Sequence, residues 1–150
     1  MRANSLDEVI TAMYASMCFE EGSQPDWEAH AELFAPGARL VRVTADGVFA
    51  FDPGSFRRDL ETKIASGALR SFWEGEVSRE THAFGDVAHV LSGYATRTSR
   101  DGEPLGRAIK SIQLYRQHGR WWISAMLWQR EHAHFTLPAE LPGVPTTSGV

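Results

Sequence analysis

Apolar residues recur at helical spacing at the start of the chain, at Leu6, Val9, Ile10, Met13 and Met17. Ser5 and Glu8 stand before them as an S-x-x-E capping box, so an amphipathic helix is predicted over 5–20. Asp26 begins a second, short helix that carries Trp27 and Phe34 and is stopped by Pro36-Gly37. A strand over 38–43 turns at Asp46-Gly47 into a short return strand over 48–51. Asp52-Pro53 starts a third helix, with Phe56, Leu60 and Ile64 on one stripe and Gly67 at its end. From Leu69 the period changes to two. Four strands are predicted over 71–84, 87–98, 106–117 and 120–132, separated by turns at Gly85-Asp86, Asp101-Gly102 and His118-Gly119. Helices gathered on one side of an antiparallel sheet make an α+β domain. One domain is expected over 1–135, with a Pro-rich tail over 136–150 on the surface or mobile.

Tight turns fix which residues stand opposite each other. Counting outward from Phe84 and Val87 pairs His82 with His89, Glu80 with Leu91, Glu76 with Ala95 and Glu74 with Arg97. Counting around Asp101-Gly102 pairs Leu91 with Ile112 and Gly93 with Lys110. One face then collects Leu91, Ile112, Leu114, Ile123, Ala125 and Leu127, and turns small and polar toward Glu76, Lys110, Gln129 and Glu131. That end is the expected ligand cavity. The opposite face holds Tyr94, Ser111, Gln113, Trp122, Met126 and Trp128, too aromatic for plain solvent contact. A second copy of the chain is the expected cover, giving a homodimer.

Composition narrows the picture. The chain has 150 residues, 43% hydrophobic and 23% charged, enough to bury a core as one domain. A net charge of −4 argues against a nucleic-acid or anionic-membrane partner. No apolar run reaches the roughly 20 residues a membrane span needs, and the N-terminus lacks an apolar signal core, so a cytoplasmic location is expected. Cys18 is the single cysteine and has no basic neighbour, so it reads as buried rather than nucleophilic.

The stretches F-W-E-G-E-V-S-R-E-T-H-A-F-G-D-V-A-H-V-L-S-G-Y (72–94), G-R-A-I-K-S-I-Q-L (106–114) and G-R-W-W-I-S-A-M-L-W-Q-R-E (119–131) resemble the bacterial SnoaL-like and DUF4440-like branch of the NTF2-like superfamily. W-E-A-H-A-E-L-F-A-P-G-A-R-L (27–40) is similar to that family's second helix and first strand. The resemblance covers about 5–135. It implies a cone-shaped half-barrel around a pocket, three helices on a curved antiparallel sheet, and dimerisation through the outer sheet face. The superfamily hosts isomerases, dehydratases, cyclases, hydrolases and binders, and the catalytic positions of its ketosteroid isomerase and scytalone dehydratase members have no match in this sequence, so no catalytic residue is carried over.

The residues that could carry chemistry are few. Glu76 in an apolar cavity would make a general acid or base, or simply close an ion pair with Lys110. Lys110 could hold a carboxylate or enolate oxygen. His89 and His82, opposite each other, could relay a proton or be satisfied structural histidines. Glu74 reads as a salt partner of Arg97 at the rim. Tyr14, Trp27 and Phe56 are helix aromatics at core spacing that could also line the pocket, with Leu91, Gln129 and Glu131 as further ligand contacts. His132 and His134 share a strand face, but no third ligand has a predictable spacing, so no metal is expected. No G-x-S-x-G, Walker loop or dinucleotide fingerprint occurs, and no cofactor is expected. Two readings follow. One is a cofactor-free acid/base enzyme, of isomerase, dehydratase or cyclase type, on a small apolar carbonyl compound. The other is a non-catalytic, homodimeric ligand-binding or assembly module.

Overall fold

The computed structural model describes residues 3–133, 135–141 and 144–145; His134 and the rest of the tail lie outside the described residues. The elements run α1 (Leu6–Met17), α2 (Trp27–Ala31), β1 (Phe34–Thr44), β2 (Gly47–Phe51), α3 (Pro53–Ala65), β3 (Trp73–Phe84), β4 (Val87–Arg97), β5 (Gly106–Gln117), β6 (Arg120–Arg130) and β7 (Val144–Pro145). The strands form one open sheet in the order β2-β1-β6-β5-β4-β3-β7. The arrangement is the α+β fold expected, with one correction: β1 runs parallel to β6, so the sheet is mixed.

Local sequence chemistry accounts for the helix starts. The Ser5 hydroxyl accepts the Glu8 backbone N–H at 3.1 Å. Asp26 accepts that of Ala29 at 3.1 Å, and Asp52 that of Ser55 at 2.7 Å in a full capping box with Pro53 behind it. Two helices end earlier than predicted because sheet partners take their backbones. Phe19 exchanges two hydrogen bonds of 2.9 Å with Phe72 and leaves α1. The Ile123 N–H donates to the Leu33 carbonyl at 2.9 Å, and Phe34 already pairs in β1, which stops α2 at Ala31.

Turn chemistry holds at two of the three turns predicted among the last four long strands. His118 and Gly119 have φ of 56° and 71°, the two positive values a type I′ turn needs. Gly85 has φ 56° at the first turn position between Phe84 and Val87. The third differs: β4 and β5 are joined by a loop over 98–105, closed where Thr96 meets Gly106, not by a tight turn at Asp101-Gly102.

That loop moves the β4–β5 pairing by one residue, so Leu91 meets Ser111 and Ser92 meets Lys110. Two bulges add to the shift. One falls between Glu76 and Ser78, after which Glu76 meets Tyr94 and Glu74 meets Thr96. The other falls at Ser124, between the Leu114–Ile123 and Gln113–Ala125 pairs. Side chains alternate with period two, so each offset exchanges the faces beyond it. Val90, Tyr94, Ile112, Met126 and Trp128 therefore belong to the inner face and its core, whereas Leu91 and Leu127 point outward, Leu127 at 45% exposure. Tyr94, Met126 and Trp128 thus leave the expected dimer face; Ser111, Gln113 and Trp122 stay on the outer side.

The core sits between that inner face and the helices, α1 against β3 and β6 and α3 against β1 and β2. On the outer face lies part of the tail. The Arg107 guanidinium donates to the carbonyls of Leu137, Pro138 and Ala139 at 2.7–3.0 Å, and β7 pairs with Ser78 and Arg79 of β3.

Candidate functional site

A cavity of about 240 Å³ opens between the inner sheet face, α1, α2 and α3. It lies just below the roughly 300–1,000 Å³ common for ligand pockets, which suits a small molecule. The strand register builds it in layers. Leu40, Met126, Ile112 and Val90 stand side by side and are fully buried or nearly so. The next layer holds Arg42, Trp128, Lys110 and Ser92, and the one beyond it Arg130, Ala108 and Tyr94. Polarity thus rises from an apolar floor toward the strand ends.

Lys110 is 4% exposed and its Nζ donates to Glu74 Oε1 at 2.8 Å. The ammonium also lies 4.4 Å from the Tyr14 ring centre and 4.6 Å from that of Tyr94. Two aromatic faces and one carboxylate replace its water, each desolvated cation–π contact contributing about 1–2 kcal/mol. Both phenols are held well above their ordinary pKa, by burial first and then by the Glu74 carboxylate, and stay protonated. The Ser92 hydroxyl donates to Glu76 Oε2 at 2.6 Å, so the Tyr14 hydroxyl, 2.6 Å from Ser92 Oγ, is the donor to it. Arg79 grips Glu76 with bonds of 2.6–3.0 Å and also meets Asp7. This chain pins the Tyr14 ring over Lys110.

His30 is the group that sequence reasoning missed. It is 2% exposed, within 4.8 Å of the Phe34 ring and stacked at 5.8 Å on Phe56. Its Nε2 is buried without a hydrogen-bond partner. Burial, and then the charge of Lys110, push its pKa down to about 4, so the imidazole is neutral at pH 7. An orphaned buried nitrogen on a cavity wall is a place for a ligand hydrogen bond. Toward the rim, Arg42 and Lys63 share Asp59 at 3.3 and 3.0 Å, and Arg130 donates to Thr96 Oγ1 at 3.0 Å.

The remaining candidates fall in several places. Glu76 and Lys110 share the inner face as expected, but Glu74 takes the place at Lys110 that the unbulged register assigned to Glu76. Glu74 is accordingly a cavity group and not a rim partner of Arg97. Phe56 lines the cavity; Trp27 stands behind it, edge-on to Phe56 and His30. His89 is exposed and stacks on His82 at 6.1 Å, away from the cavity. Leu91 and Gln129 belong to the outer face, and Glu131 is bound by Arg107 at 3.4 Å and by the Leu137 N–H at 3.1 Å. Cys18 donates to the Tyr14 carbonyl at 3.3 Å, and burial raises its pKa, which favours the thiol over the thiolate. No group of three His, Cys, Asp or Glu among the described residues is placed to hold a metal, and no described helix is long and apolar enough to cross a membrane.

No family model matches the sequence, and no curated protein matches it significantly. Solved structures do match its fold. A protein of cystatin-like fold from Nostoc punctiforme superposes with a TM-score of 0.65 at 17% identity, covering 95% of this chain and 98% of its own. A protein of the NTF2-like family from Streptomyces avermitilis, provisionally named a dehydratase, gives 0.62 at 16% identity over 85% and 94%. A hexachlorocyclohexane dehydrochlorinase from Novosphingobium barchaimii gives 0.62 at 13% identity over 94% and 92%. At such identity these likenesses establish the fold and leave the chemistry to the site.

Proposed function

We propose that this chain, which has the NTF2-like fold, binds a small carbonyl compound in its cavity and moves a proton on it without a cofactor. The observation that carries the reading is the pairing of two buried groups on one cavity: the neutral, unpartnered Nε2 of His30 and the ammonium of Lys110. Proton abstraction next to a carbonyl is assisted by a base at the carbon and by a hydrogen-bond donor or positive charge at the oxygen. Lys110 would hold the oxygen, in competition with Glu74. His30 or the released Glu74 carboxylate would take the proton and return it, to another carbon in an isomerisation or to a departing hydroxyl in a dehydration. The dehydratase and dehydrochlorinase names among the structural neighbours are compatible with such chemistry.

The test is solvent deuterium exchange into a panel of small cyclic ketones and β-hydroxy ketones, each with and without a carboxylate, followed by NMR. Exchange on at least one compound is expected, with a loss of at least about tenfold in His30→Phe or Glu74→Gln and weaker binding in Lys110→Met. No exchange across the panel, or exchange indifferent to all three substitutions in folded protein, removes the catalytic reading. Ligand uptake without exchange would favour a binding module.

A further inference from the structure

The charge around the cavity runs against the charge of the molecule. The chain as a whole carries −4. Four cationic side chains, Arg42, Lys63, Lys110 and Arg130, line the cavity, against the single carboxylate of Glu74. Asp59, just outside, binds Arg42 and Lys63 together. Counting both carboxylates, two positive charges stay unmatched around a space of about 240 Å³. Arg130, at the exposed end of β6, is the one least compensated by protein groups. Its hydrogen bond goes to the neutral Thr96 hydroxyl, which is itself 2% exposed, and among the described residues it meets no carboxylate. Its strand neighbour Glu131 is already held by Arg107. A guanidinium keeps several N–H donors in a planar fork that matches a carboxylate. Behind it, Trp128 and Met126 follow at two-residue steps down the same face of β6, toward the apolar floor.

We infer that the cavity selects a compact apolar acid, whose carboxylate pairs with Arg130 at the rim while its apolar body fills the space lined by Trp128, Met126 and Phe56. The inference rests on the ligand-binding half of the function proposed above and gives it a ligand class: a small carboxylic acid with an apolar body. Low-dielectric walls concentrate the field of the rim cations on that end of the cavity and draw anions toward it.

The experiment uses non-reacting probes, so that binding is read apart from turnover. Benzoate, phenylacetate and cyclohexanecarboxylate are titrated calorimetrically against benzamide, phenylacetamide and cyclohexanecarboxamide at pH 7. The acids are expected to bind at least about tenfold more tightly than their amides. Arg130→Gln should erase that preference, and Arg130→Lys, which keeps the charge, should retain most of it. Thermal melts confirm that both variants are folded. If Arg130→Gln does not fold, loss of the acid preference on raising salt from 50 mM to 500 mM in the unaltered protein takes its place as the deciding result. Equal binding of acid and amide, a preference that survives Arg130→Gln, or no binding of any acid overturns the inference. Acid preference with no deuterium exchange on any ketone leaves this inference standing and removes the catalytic reading; exchange that ignores a carboxylate on the substrate does the reverse.

Discussion

His30 combines a buried imidazole with a cation next door, and both disfavour its protonation. Its pKa is about 4 in the folded protein, against 6.5 for an unperturbed histidine. The unfolded chain therefore takes up a proton first as pH falls. This group's contribution is fully present above pH 6.5 and disappears as pH drops through about 4, a loss of about 3 kcal/mol. The unfolding free energy of the parent protein should accordingly fall more steeply than that of His30→Phe between pH 7 and pH 4. Equal slopes in denaturant titrations at the two pH values would show that the imidazole is not desolvated as described. Lys110 makes the complementary case. Two tyrosine rings and Glu74 hold its charge inside the protein, and removal of Glu74 leaves the charge without its carboxylate, which typically costs about 3–5 kcal/mol.

At the scale of the element, one extra residue in a strand decides what the strand displays. The bulge at Ser124 turns Met126 and Trp128 inward, and the one between Glu76 and Ser78 brings Glu74 to Lys110. On the outer side of the same sheet, the tail depends on a strand position without a side chain. A Cβ at Gly93 would come within 2.7 Å of Leu141 Cδ1 and 2.5 Å of Ser78 Oγ. The serine hydroxyl can rotate away, but the leucine is packed on the sheet. Gly93→Ala should therefore lift the segment over 135–141 from the outer face, at an overpacking cost of about 1–3 kcal/mol. Limited proteolysis should cut the variant in this segment faster than the parent. Equal cutting rates would mean that Leu141 does not rest on Gly93.

For the whole molecule, the outer face still presents Trp122, Ser111, Gln113 and the 45%-exposed Leu127 beside the strapped tail. We propose that a second copy of the chain covers it. A species of twice 16.7 kDa is then expected in sedimentation equilibrium at low micromolar concentration, and Leu127→Glu should shift it toward the monomer mass. A parent protein that sediments at 16.7 kDa contradicts the dimer. The inner face is now largely assigned to the cavity, so this surface is less aromatic than the unbulged register implied. Tyr94, Met126 and Trp128 serve the pocket instead.

What the chain's local pattern sufficed for is what depends on neighbours in sequence. Ser5, Asp26 and Asp52 start helices because each side chain reaches a backbone N–H three residues on. His118-Gly119 and Gly85 turn hairpins because their backbone enters the positive-φ region. The order of elements, the α+β class and the inward place of Lys110 follow from these. Tertiary structure alone decided the rest. The helix end at Met17 is set by the bridge between Phe19 and Phe72, and that at Ala31 by the strand that takes up Phe34. The parallel β1–β6 pairing joins residues about 90 apart in sequence. Strand alternation reports two faces but not which is inside, and an extra residue leaves no mark in it. For that reason the pattern points to Glu76, Leu91 and His89 where Glu74 and Trp128 line the cavity. His30 sits three residues after Trp27 in a short helix and looks like any core position; only its packing against Phe34 and Phe56 strips its nitrogen of water and makes it a candidate for chemistry.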